Sequence, residues 1–128
     1  MPKNKPSDFI EKLFYIQNQI QLKHWEETSG WRHKQLGKFY QEIGNLIDEL
    51  VESTAGIYKD EVLVISNSMY TINNNIEISE LLSDILIIFF DLKKHFIETN
   101  PDLNAGLINI IDNTISVINR TANMLDKT

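Results

Sequence analysis

The chain lacks cysteine altogether, and its 128 residues include only 5 glycines and 3 prolines. Without cysteine it forms no disulfide, carries out no thiol chemistry and builds no cysteine-ligated zinc site. The helix-breaking residues that matter lie near the start of the chain and between long uninterrupted segments, at Pro2, Pro6, Gly30, Gly56 and Pro101. This distribution predicts long helices.

Long hydrophobic runs are missing as well. The longest consists of residues 85–90, between Asp84 and Asp91, whereas a helix needs about 20 apolar residues to cross a bilayer. Charged residues follow the N-terminus at once, so the first residues lack the apolar core of a signal peptide. We therefore expect a cytoplasmic protein without a membrane span, and the lack of cysteine fits a reducing compartment.

Basic residues are in the minority. Lysine and arginine number 12 against 18 aspartates and glutamates, which gives a formal net charge of −6. A protein of this charge repels nucleic-acid phosphate, and Lys3 and Lys5 are the only basic residues of the arm that we expect at residues 1–6, which should be flexible. DNA binding is therefore not expected. Hydrophobic residues make up 42% of the chain, which is typical of a single globular domain spanning residues 1–128.

Four segments repeat apolar residues at steps of three and four, the period of an amphipathic helix. They cover residues 7 to about 28, 31 to about 56, 79 to about 98 and 101 to about 125. The fold class is therefore all-α, and four helices of this length form a four-helix bundle. In the fourth helix, the inward-facing positions are predicted to be Leu103, Leu107, Ile110, Ile111, Ile115, Ile118, Ala122 and Leu125.

The connections between these segments decide the topology. Short turns join the first helix to the second and the third to the fourth, whereas residues 57–78 separate the second from the third. Residues 62–65 favour an extended chain and residues 73–75 favour a turn, so we expect a long crossover with a short helix. One long crossover is the ferritin-like arrangement, and an up-down bundle with a loose loop is the alternative.

Two of the 3 histidines, His24 and His33, lie close to the junction of the first and second helices. Further along the second helix, Asp48 and Glu52 are four residues apart, so their carboxylates share one face about 6 Å from each other. Imidazole nitrogens and carboxylate oxygens suit iron, manganese and zinc, and of these iron has oxidation chemistry to perform. These four residues are the candidate metal ligands.

A single chain does not close such a site. His33 and Asp48 are fifteen residues apart, which places them on similar sides of a helix but about 22 Å apart along its axis. An ion binds its ligands within about 2 to 2.6 Å. Two chains that pair through antiparallel second helices about a two-fold axis would bring His24 and His33 of one subunit to Asp48 and Glu52 of the partner subunit.

The same residues resemble the ferroxidase signature of the Dps proteins, the starvation-induced mini-ferritins. The matching elements are the pair His24-Trp25, then His33, and then Asp48-x-x-x-Glu52 fifteen residues after His33. The segment is also similar to short uncharacterised proteins of tailed phages, which share His-Lys-x-Leu-Gly followed by Tyr and by Leu-Ile-Asp-x-x-x-Glu. A phage-encoded protein would work in the host cytoplasm.

The Dps resemblance implies a ferritin-like bundle that forms homodimers and assembles into a hollow dodecamer. It implies that Fe(II) binds between subunits at His24, His33, Asp48 and Glu52. The iron would be oxidised preferentially by hydrogen peroxide and stored as a ferric mineral. These four residues would then be both the metal ligands and the catalytic residues.

Three features depart from the Dps pattern. The interval between His24 and His33 is three residues shorter than in typical Dps proteins, so the turn between the two helices must differ. Many Dps proteins carry an aspartate one turn after the second histidine, which assists a second iron ion, and this chain has Gly37 there. The chain is also short and nearly lacks a basic tail.

Several neighbouring residues have both a structural and a functional interpretation. Trp25 and Trp31 are expected to be core or interface aromatics, with a place beside the iron site as the alternative. Tyr40, a candidate guard against radicals, is expected to be a packed residue. Glu26 and Glu27 are expected to be solvated turn residues rather than substitutes for the missing carboxylate.

Other chemistry finds little support in the sequence. Asp91 and His95, four apart on the third helix, are expected to form a surface pair rather than a second metal site. The Glu-x-x-His motif with which larger ferritins hold iron inside one bundle is absent. The sequence therefore supports two hypotheses: a Dps-like ferroxidase, and a non-enzymatic, phage-encoded interaction protein that has kept the ferritin-like bundle.

Overall fold

The structure, a computed structural model, describes residues 7–58 and 75–126. Within these ranges the chain forms four α-helices and no strand, which confirms the all-α class and the four-helix bundle. The predicted arm at residues 1–6, and residues 59–74 of the predicted crossover with its short helix, lie outside the described residues. The helices are α1 (Ser7–Glu26), α2 (Gly30–Tyr58), α3 (Ile78–Thr99) and α4 (Ala105–Leu125).

The fourth helix begins at Ala105 rather than at Pro101, because residues 101–104 form a turn. The Asn100 side chain accepts a hydrogen bond from the Leu103 N–H at 3.1 Å, which stabilises the turn. Leu103 is consequently 54% exposed, and its predicted inward position is wrong. Of the remaining predicted positions, Leu107, Ile110, Ile111, Ile118 and Leu125 are buried.

Aromatic contacts fix the directions of the helices. Phe9, near the start of α1, has its ring centroid 6.5 Å from that of Phe96, near the end of α3. Tyr58, the last residue of α2, lies 6.4 Å from the same ring. The start of α1 and the ends of α2 and α3 therefore meet at one end of the bundle, so α2 and α3 run parallel to each other.

The opposite end of the bundle contains the turn between α1 and α2, and we call it the histidine end, after His24 and His33. Arg32, at the start of α2, donates a hydrogen bond to the carbonyl of Leu125, at the end of α4, over 3.1 Å. Because α2 and α4 run antiparallel and pack closely, the helices surround the core in the order α1, α2, α4, α3. The end of α2 and the start of α3 thus lie at opposite ends of the bundle.

The core consists of aliphatic and phenylalanine side chains from all four helices, because each helix repeats apolar residues on one face. A buried asparagine joins three helix ends: Asn104 donates from Nδ2 to the Phe96 carbonyl at 3.0 Å and accepts from the Tyr58 hydroxyl at 2.8 Å. Within the described residues, no helix is long and apolar enough to span a bilayer. Fully buried side chains include Ile16, Ile20, Leu36, Phe39, Ile43, Ile85, Phe89 and Leu92.

Candidate metal centre

His24 and His33 lie face to face where α1 and α2 meet. His24 is in the last turn of α1 and His33 is in the first turn of α2. The two ring centroids are 4.0 Å apart, and the ring planes are 21° from parallel. Within one chain, the structure thus brings together the two histidines that the sequence pattern singles out.

Two reciprocal hydrogen bonds hold these rings. His24 Nδ1 lies 2.8 Å from the His33 carbonyl oxygen, and His33 Nδ1 lies 2.7 Å from the His24 carbonyl oxygen. A carbonyl oxygen only accepts hydrogen bonds, so each Nδ1 carries the proton. In the neutral ring the lone pair is then on Nε2, and neither Nε2 atom has a hydrogen-bond partner among the described residues.

The position of His24 at the end of a helix explains one of these bonds. The last four carbonyls of a helix have no intrahelical donor, and that of His24 is among them because α1 ends at Glu26. The Nδ1–H of His33 satisfies this carbonyl. The pair therefore also caps α1 and fastens it to α2.

The turn that carries the pair is short, and side chains hold it in place. Glu27 accepts a hydrogen bond from the Ser29 N–H at 3.2 Å and forms an ion pair with Arg32 at 3.4 Å. Arg32 in turn reaches the Leu125 carbonyl. The turn between α1 and α2 is thereby connected to the end of α4.

Gly37 lies directly beneath the His24 ring. A Cβ atom built on Gly37 would stand 2.7 Å from His24 Cε1, closer than side chains approach each other in proteins. Because the interval between the two histidines is short, the ring of His24 occupies the space that a side chain at position 37 would need. A carboxylate at this position is therefore incompatible with the observed ring.

Asp48 and Glu52 are exposed on α2, in the half of the helix that lies away from the histidine end. Among the described residues, no group of three or more histidines, aspartates and glutamates lies close enough together to hold an ion. The structure thus brings the two histidines together but does not bring the two carboxylates to them within one chain.

The charge on the exposed face of α2 changes along the helix. Its first half is basic, its centre is polar and uncharged, and its second half is acidic. Tyr40 and Asp48 line a shallow depression beside this face, between α1 and α2. The exposed residues in order are Lys34, Lys38, Gln41, Asn45, Asp48, Glu49 and Glu52.

The tryptophans flanking the turn do not belong to the core of the single chain. Trp25 is 66% exposed and Trp31 is 41% exposed, so the prediction of a core position is wrong for both. Trp25 lies just before the turn and Trp31 just after it, where none of the four described helices covers them. An interface position remains the prediction for them.

Glu26 and Glu27 both take part in ion pairs. Glu26 is exposed at the end of α1, as expected of a solvated residue, and pairs with Lys23 at 3.2 Å. Glu27 lies in the turn, is partly buried and pairs with Arg32. On α3, the His95 ring packs 5.3 Å from the Phe9 ring, and Asp91 is exposed.

The pKa of Tyr15 is displaced from its ordinary value. Burial raises its pKa above the ordinary value of 10.0, and the negative charge of Asp84 raises it further. The residue lies between α1 and α3, away from the histidines. It has no place in the candidate centre.

The sequence did not predict the structural roles of two residues near the histidines, Arg32 and Gly37. Arg32 connects the turn to α4, and its signal, a lone arginine after a turn, is too common to be informative. Gly37 had a signal, because it interrupts a long helical segment and costs helix stability relative to alanine. That cost indicates a close approach of some other group, here the His24 ring.

No model of a known protein family matches the chain, and neither a curated protein nor a solved structure matches it significantly.

Proposed function

We propose that the chain is a Dps-like ferroxidase, in which His24 and His33 of one subunit act with Asp48 and Glu52 of the partner subunit to bind and oxidise Fe(II). The observation that carries this proposal is the histidine pair. Its hydrogen bonds put both protons on Nδ1 and leave both Nε2 atoms for a metal ion. A metal-binding histidine is typically oriented in this way, by a carbonyl or carboxylate that accepts from its other nitrogen.

The orientation of the rings favours two iron ions over one. An imidazole binds a metal ion close to its ring plane, at about 2.0 to 2.1 Å from the nitrogen. With centroids 4.0 Å apart and planes only 21° from parallel, the two planes do not meet at that distance. Each histidine therefore holds its own Fe(II), and the carboxylates of the partner subunit complete the ligand sets.

Two neighbouring Fe(II) ions match the electron demand of hydrogen peroxide. Each ion gives up one electron and becomes Fe(III), the O–O bond breaks, and two protons from solvent complete two water molecules. No hydroxyl radical is released, because both electrons arrive together. The contribution of the chain is to hold the two ions side by side.

The charge pattern of α2 supports the antiparallel dimer that this site requires. When two α2 helices cross antiparallel about a point between Gln41 and Asn45, Lys38 of one subunit opposes the acidic residues Asp48 and Glu49 of the partner subunit. Lys34 then opposes Glu52 of the partner subunit in the same way, and His33 lies within one helical turn of that glutamate. Opposite charges thus meet on both sides of the crossing point, which favours this register.

An exposed aromatic residue also supports this face as the interface. Phe14, on the outer side of α1, is 50% exposed. Large exposed apolar side chains cost free energy in water, and contact with a second subunit removes that cost. Phe14 lies on α1, the neighbour of α2, so the antiparallel dimer is in a position to cover it.

The directions of the helices support the ferritin-like topology. Since α2 and α3 run parallel, the end of α2 and the start of α3 lie at opposite ends of the bundle, as they do in a ferritin-like bundle with a long crossover. An up-down bundle would instead place α2 and α3 antiparallel. Storage of the ferric product in a dodecameric shell stays a prediction from the Dps resemblance.

The test of the proposed function is the rate of Fe(II) oxidation by stoichiometric hydrogen peroxide, followed by the absorbance of the ferric product. With protein that starts metal-free, the oxidation rate is expected to exceed that of the protein-free blank by at least about tenfold. A spin trap should detect less hydroxyl radical than in the blank, since the two electrons are delivered together. A rate equal to the blank would contradict the proposal.

The second candidate, a non-enzymatic interaction protein, is favoured by one observation. The outer side of α3 exposes Ile87, Phe90 and Ile97, each between 43% and 57% exposed. Apolar residues on one exposed helix face are typical of surfaces that bind another protein. This candidate predicts an oxidation rate equal to the blank, so the experiment above separates the two.

A further inference from the structure

We propose that Gly37 is a positioning residue of the histidine pair. The absence of a side chain lets the His24 ring lie on α2, where its Nδ1–H reaches the His33 carbonyl. The two rings then fix one another in the tautomer that leaves Nε2 free. The consequence for iron oxidation rests on the proposed function, whereas the effect on the rings does not.

The distances around Gly37 identify a single group that fills its space. A Cβ atom there would lie 2.7 Å from His24 Cε1, 3.2 Å from Nδ1 and 3.3 Å from Nε2. All three atoms belong to one ring, and the backbone contributes none of the three. A substituted side chain would therefore push the ring away and leave the helices in place.

Displacement of this ring removes specific interactions. The bond from His24 Nδ1 ends on the carbonyl of His33, one turn before Gly37, so it breaks when the ring leaves α2. The stacking contact with the His33 ring is lost at the same time. Nothing then holds the His24 proton on Nδ1, and a neutral imidazole free in water populates both tautomers.

The short interval between His24 and His33 gives this glycine its role. A longer turn would allow the first histidine to stand farther from α2 and would leave room for a side chain one turn after the second. Here the three-residue turn at residues 27–29 brings the ring onto the helix. Gly37→Asp, which adds a carboxylate beside the proposed iron ions, is therefore expected to lower the oxidation rate rather than raise it.

The test on the rings is nitrogen NMR of the histidine side chains in the metal-free, full-length protein, in buffer alkaline enough to keep the rings neutral. In the wild type, His24 and His33 should both carry the proton on Nδ1. In Gly37→Ala, the His24 signals should change to those of mixed tautomers. Gly106→Ala is the matched control, because a Cβ there meets no atom within 4 Å, and it should leave the signals unchanged. Identical spectra of wild type and Gly37→Ala would overturn the inference.

A stability measurement keeps the inference testable if Gly37→Ala folds poorly. Gly37→Ala improves helix propensity in any background, and in the wild type it also displaces the His24 ring. In urea unfolding, the substitution is therefore expected to be less favourable to stability in the wild type than in a chain whose His24 is already alanine. An effect of the same size in both backgrounds would show that the glycine does not act through the His24 ring, and would overturn the inference.

Iron oxidation separates this inference from the proposed function. If the wild type oxidises Fe(II) above the blank, Gly37→Ala and Gly37→Asp should each lower the rate by about tenfold or more, the size of effect seen when the support of a metal ligand is removed. Unchanged rates in these variants would overturn the positioning role while leaving the ferroxidase intact. If the wild type shows no oxidation, the proposed function fails, and the NMR result alone decides the role of Gly37.

Discussion

Replacing His33 by alanine is expected to lower the rate of Fe(II) oxidation by peroxide by at least about tenfold, to close to the rate of the protein-free blank. The substitution removes one imidazole ligand. It also removes the Nδ1–H that satisfies the His24 carbonyl and the ring that stacks on His24. Both histidines are thus affected by one change. Because His33 is exposed, its loss leaves no cavity in the core, and the helical circular dichroism should be unchanged.

The control for this prediction is the remaining histidine of the chain. His95 packs against Phe9 on the other side of the core from α2, far from the histidine end. His95→Gln should leave the oxidation rate within about twofold of the wild type, because it removes no proposed ligand. Equal losses in the two variants would mean that the rate reports general damage to the fold, and an unchanged rate in His33→Ala would refute the site.

The helical positions of His24 and His33 could be predicted from the sequence, but the contact between their rings could not. Their helical positions follow from apolar periodicity, which is a strong signal over helices of 20 and 29 residues. Their stacking did not follow from it. Whether two side chains on different helices face one another depends on the length and path of the turn, and the hydrogen bonds of Glu27 and Arg32 that determine the path have no sequence signature.

The burial of Asn104 and the exposure of Leu103 are two features of the fold that the sequence did not predict. The periodicity predicted that Leu103 faces the core. The hydrogen bond from its N–H to the Asn100 side chain stabilises a turn before the helix begins, so Leu103 faces solvent. Asn104 is polar and next to a turn, so a surface position would be the ordinary expectation. It is instead fully buried, because Tyr58 and the Phe96 carbonyl satisfy its amide. Long-range partners of this kind cannot be predicted from local pattern.

Reversing the charge of Lys38 is expected to raise the dissociation constant Kd of the proposed dimer by about tenfold to a hundredfold. In the antiparallel arrangement, Lys38→Glu places a glutamate opposite Asp48 and Glu49 of the partner subunit, and the two-fold axis repeats the clash. Lys38 is exposed in the single chain, so the fold should be unaffected. Sedimentation velocity over a range of protein concentrations and at low salt measures the change.

A second substitution tests the register of the pairing. Glu49→Lys on the Lys38→Glu chain restores opposite charges across the axis and should return the Kd to within a few-fold of the wild type, about 1 kcal/mol. Glu49 is not among the proposed ligands, so the iron site is left intact. Lys94→Glu, on the exposed side of α3, is the control and should not change the dimer. A failure of Glu49→Lys to restore the dimer would reject this register.

Mixing two inactive variants tests whether each iron site combines histidines from one subunit with carboxylates from the other. His33→Ala and Glu52→Ala chains are combined in equal amounts, unfolded and refolded together, and the rate of Fe(II) oxidation by peroxide is measured. In a mixed dimer, one site has lost both residues and the other has kept both. Random pairing makes half of the dimers mixed, so the mixture should recover about one quarter of the wild-type rate. Each variant refolded alone should stay at the blank, and a mixture that also stays at the blank would contradict the shared site.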